Sequence, residues 1–322
     1  MITLAEKASN TFNRVMHDHS INLQATPLDF TPGDKCIFVG CNPSGKALAE
    51  RLFDHLFPSA PSGTYYHYMT YDSFMATIQS GKIRLFSTKK KSSIGEYAPL
   101  CKELGFDGYW RESSNGSIEG VHPELMDELY YKSFVASPEV NAEQFWNQFA
   151  DNGAGVRIEV KVDVQPGYPD FRIVAYEGSK GVAALKDVLK NFSQAGWNLT
   201  FAGTSRIPAY GQLSEFRWQN ETRLIAKRHP NGHDLFPWTV YNSEGQECNF
   251  IDCSLREQEC HHFQIRLIDV VAGPKADAER KEQVSRMFQR FMKGLRTNGD
   301  PENAVLRSSK AVKNPQLPID PP

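Results

Sequence analysis

Between Tyr65 and Ser87 the chain has few options other than a strand, a helix and a returning strand. The run Tyr65-Tyr66-His67-Tyr68-Met69-Thr70 is aromatic enough to favour a half-buried strand. The spacing then predicts a helix over Tyr71–Ser80, with Phe74, Met75 and Ile78 on one face. Thr70 is placed to accept the orphan N–H groups of its first turn. Gly81 suits the left-handed conformation that closes a helix, and Lys82–Ser87 reads as the second strand. His67 therefore stands near the end of a strand, among aromatic rings, at the edge of an expected cleft.

Composition narrows the class without naming a function. The 322 residues, 40% of them hydrophobic and 23% charged, suffice for a large soluble core. A formal net charge of −2 gives no global field that would advertise a nucleic-acid partner. No basic stretch leads into an apolar run at the N-terminus and no segment reads as a membrane span, so a cytoplasmic protein without membrane contact is expected. In that compartment the six cysteines read as mostly reduced thiols.

Along the chain, Leu4, Ala8, Phe12, Val15 and Met16 fall at helical spacing, and a polar connector follows. A strand Cys36–Val39 then runs into Gly40-Cys41-Asn42-Pro43-Ser44-Gly45-Lys46-Ala47. This matches the first part of a phosphate-binding loop, Gly-x4-Gly-Lys, but Ala47 stands where a magnesium-binding hydroxyl belongs and Pro43 removes an N–H donor. A capped helix after a strand is the plainer reading, with a degenerate anion site as the other. The turn-rich stretch Pro58–Gly63 marks a boundary: an N-terminal helix and βα extension over 1–63, a main domain over 64–297, and a proline-rich, disordered tail over 298–322.

Within the main domain, strands are expected over Tyr130–Val135, Gly155–Val162, Phe171–Tyr176, Phe216–Ile225 and Phe263–Val271. Helices are expected over Ala142–Ala150, Val182–Phe192 and Ala276–Leu295, the last with Val284, Met287, Phe288 and Phe291 inward. Phe145, Trp146 and Phe149 form an apolar helix face, and Gln219, Glu221 and Arg223 share one strand face by alternation. Lys89, Lys90 and Lys91, with Tyr97, Tyr109 and Trp110, read either as a solvated loop or as a surface for an anionic partner. Cys248, Cys253, Cys260, His261 and His262 are spaced too loosely for a zinc knuckle, so no metal is expected.

Four fragments in order resemble a bacterial family of uncharacterised domains: Tyr66-His67-Tyr68-Met69-Thr70; Ser133-Phe134 with Trp146-x-x-Phe149-Ala150 and Gly155-Val156; Gln219-Asn220-Glu221-Thr222-Arg223-Leu224; and Leu267–Pro274. That family in turn resembles the ADP-ribosyltransferase superfamily. The resemblance spans about residues 64–295. It implies an α+β fold with a split central β-sheet of ADP-ribosyltransferase type and flanking helices. It also implies NAD as substrate, with ADP-ribose transferred to a macromolecular acceptor (protein, RNA or DNA).

By the same resemblance, Glu221 is the catalytic carboxylate and Gln219 orients the acceptor, while His67, Tyr68, Ser133, Arg223 and Tyr97 hold the dinucleotide. Arg223 has two readings, one on the diphosphate and one on Glu221 itself. Tyr97 and Tyr71 are both candidates to stack on nicotinamide. A toxin or phage-defence role, with an inhibitor or antitoxin partner, follows from such resemblances. Three plainer readings stand beside these: an ion pair for Glu221 and Arg223, a core position for His67, and a non-catalytic nucleotide- or nucleic-acid-binding module using Lys46 and the lysine run.

Overall fold

The structure, a computed structural model, describes residues 2–87, 104, 110–112, 118–120, 129–165, 170–203, 207–227, 237–241, 247–256 and 263–296. The lysine run, Tyr97, Cys260, His261, His262 and the tail lie outside the described residues.

The first half contains α1 (Leu4–Asp18), β1 (Phe30–Pro32), β2 (Cys36–Val39), α2 (Pro43–Leu56), β3 (Gly63–Met69), α3 (Tyr71–Ser80), β4 (Lys82–Ser87), β5 (Trp110–Glu112), β6 (Ile118–Gly120), β7 (Leu129–Val135) and α4 (Ala142–Phe149). Then come β8 (Val156–Val164), β9 (Phe171–Ile173), β10 (Ala175–Tyr176), α5 (Lys180–Gln194), β11 (Asn198–Phe201), β12 (Gly211–Gln212), β13 (Glu221–Lys227), β14 (Pro237–Tyr241), β15 (Glu247–Ser254), β16 (Phe263–Ala272) and α6 (Ala278–Arg296). This is a mixed α+β fold, built on a curled antiparallel sheet with flanking helices. No helix among the described residues is long and apolar enough to cross a membrane.

Two large cores organise the described residues. In the first, α1, α2 and β2 pack on α5 and the turn Ile207–Tyr210 around Phe12, Leu48, Phe57, Val188 and Tyr210. Here β2 pairs antiparallel with β1 but parallel with β11, which lies some 160 residues further along the chain. The N-terminal segment is therefore completed by a much later stretch of chain. The second core lies between the nine-stranded sheet and helices α3 and α6, around Phe74, Leu85, Phe134, Val160, Leu224 and Phe291. Val284 is also buried, and Met287 and Phe288 pack against this core as their spacing predicts.

The sheet runs in the order β14-β15-β4-β7-β3-β8-β16, with β13 and β9 continuing from β7. One edge of β7 is shared by two strands. Tyr130 and Tyr131 pair with Ser87 and Phe86 of β4, whereas Val135 pairs with Tyr66 of β3. The other edge pairs with β13 along its whole length. Strands β3 and β4 therefore splay apart around residues 132–134, and α3 bridges their ends. Its start and stop follow the sequence: Thr70 accepts the Ser73 N–H, and Gly81 closes the helix at φ 69°. Gly155 is required by a different constraint, since a Cβ there would stand 2.4 Å from the Met69 carbonyl at the end of β3.

Three expectations need correction. The strand expected over 216–225 begins only at Glu221; Ser214–Gln219 is a 3₁₀ turn and Asn220 is left-handed at φ 42°. The cause is packing: Trp218 lies 4.9 Å from the Phe145 ring, and its carbonyl accepts from Asn141 Nδ2 at 2.6 Å. Gln219 therefore does not share a strand face with Glu221 and Arg223. Phe149 is 42% exposed rather than inward, with its ring stacked on Trp218. Residues 171–176 form two short strands, because the chain passes at Val174 from the large sheet to the first core.

Candidate functional site

Where β3 and β4 separate, a cavity of about 530 Å³ opens between α3, β7 and the segment that leads into β13. That volume suits a small organic ligand. His67, Ser133, Gln212, Gln219 and Glu221 are among its polar walls, and Phe86, Tyr131, Phe145 and Phe149 its aromatic ones. Lys82, Arg84 and Lys132 add positive charge. Sequence-adjacent groups thus meet groups more than 140 residues away, because the sheet brings β3, β7 and β13 side by side.

His67 sits at the split. Its Nδ1 lies 2.9 Å from the Ser133 carbonyl, on the stretch of β7 that neither β3 nor β4 pairs. A carbonyl accepts, so Nδ1 carries the proton and donates. Burial, with Lys132 adding to it, holds the imidazole well below its ordinary pKa of 6.5, outweighing the opposing pull of the Ser133 carbonyl and Glu221. The ring is therefore neutral near pH 7, and Nε2 is an acceptor. The core-histidine reading explains one nitrogen only.

Glu221 opens β13 with Val135 directly opposite, and Arg223 faces Ser133 on the same side of the sheet. Arg223 grips the carboxylate with both arms of its guanidinium, Nε to Oε1 at 2.7 Å and Nη2 to Oε2 at 2.8 Å. Its Nη1 donates to the Ala209 carbonyl at 2.7 Å. Both residues are buried, and the Glu221 N–H donates to the Tyr176 hydroxyl at 3.0 Å. Burial raises the Tyr176 pKa to about 12, so that hydroxyl stays protonated. A bidentate arginine fixes the plane of the carboxylate and keeps it ionised. Of the two readings for Arg223, the geometry is that of the Glu221 partner.

Tyr68 lines the cavity but is buried, stacked on Phe145 at 5.1 Å, with its hydroxyl donating to the Pro138 carbonyl at 3.1 Å. Its ring thereby braces α4 against β3. Tyr71 is off the cavity wall and carries the Arg280 guanidinium 5.1 Å above its ring, so it is not placed to stack on a ligand there. Two wall residues, Tyr131 and Gln212, have no local pattern that would single them out. Tyr131 is one of two adjacent tyrosines in a strand, and Gln212 lies in a two-residue strand.

The Gly40–Ala47 loop is filled by protein. Asn42 caps α2 by accepting the Gly45 N–H at 2.7 Å, and the Ser44 hydroxyl donates to the Asp29 carboxylate. A carboxylate at that position disfavours an anion. Among the described residues, no three His, Cys, Asp or Glu side chains are grouped to hold a metal ion. No protein-family model, no curated protein and no solved structure matches the chain.

Proposed function

We propose that the cleft at the sheet split binds NAD and that the protein transfers ADP-ribose to a macromolecule. The observation that carries this reading is the meeting of His67 and Glu221 on one cavity wall. An ADP-ribosyltransferase-type arrangement of the sheet belongs to the same proposal, and the divergence of β3 and β4 from β7 supports it.

Breaking the bond between nicotinamide and ribose leaves positive charge on the sugar. A fixed, ionised carboxylate beside the anomeric carbon lowers the energy of that state, as in glycoside cleavage. The Arg223 pair holds the Glu221 carboxylate in one plane at the cavity wall, where it meets a ribose 2′-hydroxyl. The neutral Nε2 of His67 accepts from a second ribose hydroxyl. Ser133 stands beside both residues, and Gln219, on the turn before Glu221, is placed to orient an acceptor. With water as acceptor the same groups perform NAD hydrolysis. The intracellular toxin or defence setting, and an inhibitor partner, rest on the sequence resemblance alone.

One observation favours a second reading. Arg223 spans Glu221 and the Ala209 carbonyl, as a structural ion pair would, and a non-catalytic nucleotide-binding module needs no more from Glu221 than that. Incubating the protein with labelled NAD and cell extract separates the two. The transferase reading predicts nicotinamide release and label on one class of macromolecule. Both should fall by a factor of about 10²–10³ in Glu221→Gln, in protein that still melts cooperatively. Nicotinamide release without label identifies a glycohydrolase. No release by the wild type contradicts both enzymatic readings and leaves the binding module.

A further inference from the structure

Gln212 is 3% exposed, yet it is one of the residues that line the cavity. Its Oε1 accepts the Leu213 N–H at 3.1 Å, which fixes which end of the amide is oxygen. The Nε2 group is then turned away from that bond. Among the described residues it has no hydrogen-bond partner. A buried amide with two unspent donors facing a cleft is built to meet a ligand acceptor, since leaving it unmet costs free energy.

Its position says which part of a ligand it meets. Gln212 pairs in register with Tyr176, whose hydroxyl holds the Glu221 backbone, while the preceding Gly211 carbonyl lies 3.4 Å from Arg223 Nη1. Gln212 therefore belongs to the carboxylate corner of the cavity. A pyridine carboxamide is joined to the very carbon that Glu221 would serve, and its carbonyl oxygen is a neutral acceptor a few bonds away.

We infer that Gln212 reads the carboxamide carbonyl of nicotinamide and so sets the pyridine orientation. This rests on the NAD reading and goes beyond it by naming the specificity residue. Gln212 is not assigned a part in bond breaking.

The test is calorimetric titration of the full chain with two ligands, the carbocyclic NAD analogue that cannot be cleaved and ADP-ribose, which lacks the pyridine. Gln212→Glu keeps an oxygen for the Leu213 N–H but turns the donor into an acceptor; Gln212→Met removes both and serves as the second variant. Each should weaken the NAD analogue by about tenfold, the scale of one neutral hydrogen bond, and leave ADP-ribose binding unchanged. An unchanged affinity for the analogue overturns the role of Gln212 while the NAD reading stands. Equal losses for both ligands overturn it as well, since they show a general disturbance of the cleft. Wild type that binds neither ligand overturns the NAD reading and this inference with it.

Discussion

His67 shows how one side chain can serve fold and site together. Its Nδ1 proton satisfies the Ser133 carbonyl at the gap between two strands, and burial keeps the ring neutral. The sign of the pH effect follows. The folded-state pKa lies well below the ordinary 6.5, so below about pH 6.5 the unfolded chain takes up a proton that the folded chain resists. The stability that the neutral ring contributes is full above that pH and is lost as the pH falls towards the folded-state value. His67→Gln should therefore melt below wild type at pH 7.5, with the difference shrinking as the buffer is taken to pH 5. A constant difference across that range would contradict the assignment. Glu221 works under the opposite constraint, ionised and held by Arg223 inside a buried layer. Removing one partner of such a pair usually destabilises, so Glu221 variants call for a thermal melt beside every rate.

At the scale of elements, the strand–helix–strand unit around His67 was legible because each signal is local. Thr70 caps, Phe74 and Ile78 bury, and Gly81 stops the helix where expected. The approach to Glu221 was not legible, because alternation alone extends a strand back to Phe216. The attachment of Trp218 to Phe145 and Asn141 lies beyond any local window. Gln212 was invisible for a related reason: only the register against Tyr176 gives it a direction. At the α2 loop the plainer of the two local readings, a capped helix after a strand, is the one Asn42 supplies, and Asp29 accepts from Ser44 where an anion would otherwise sit. Asn42→Ala should lower stability by about 0.5–2 kcal/mol, the usual loss for a side-chain N-cap, and leave nucleotide affinity where it was. Chemical denaturation and a nucleotide titration read the two effects separately, and a loss of affinity would return the phosphate-loop reading to the α2 N-terminus.

Among the described residues, two large cores are laced together by chain crossings, with a smaller cluster of Tyr68, Val135, Phe145, Trp146 and Ala150 beside the cleft. The first 57 residues share their core with a stretch from Ala175 to Tyr210, and the turn and strand that follow place Gln212, Gln219 and Glu221 on the cleft of the second core. A boundary drawn from composition reads only local turn signals, such as those near Gly63. It cannot catch the return at Val174, since a parallel pairing such as β2 with β11 leaves no mark in either segment. The N-terminal core thereby buttresses the carboxylate side of the site through the Ala209 carbonyl and Arg223. The claim on which the account turns is that NAD occupies the split between β3 and β4. Amide hydrogen exchange of the full chain, with and without the uncleavable carbocyclic NAD analogue, tests it most directly. Slowed exchange at Tyr66–Thr77, Lys132–Val135 and Leu213–Glu221 is the predicted result. Protection confined to Asn42–Lys46, or no protection anywhere, would contradict it.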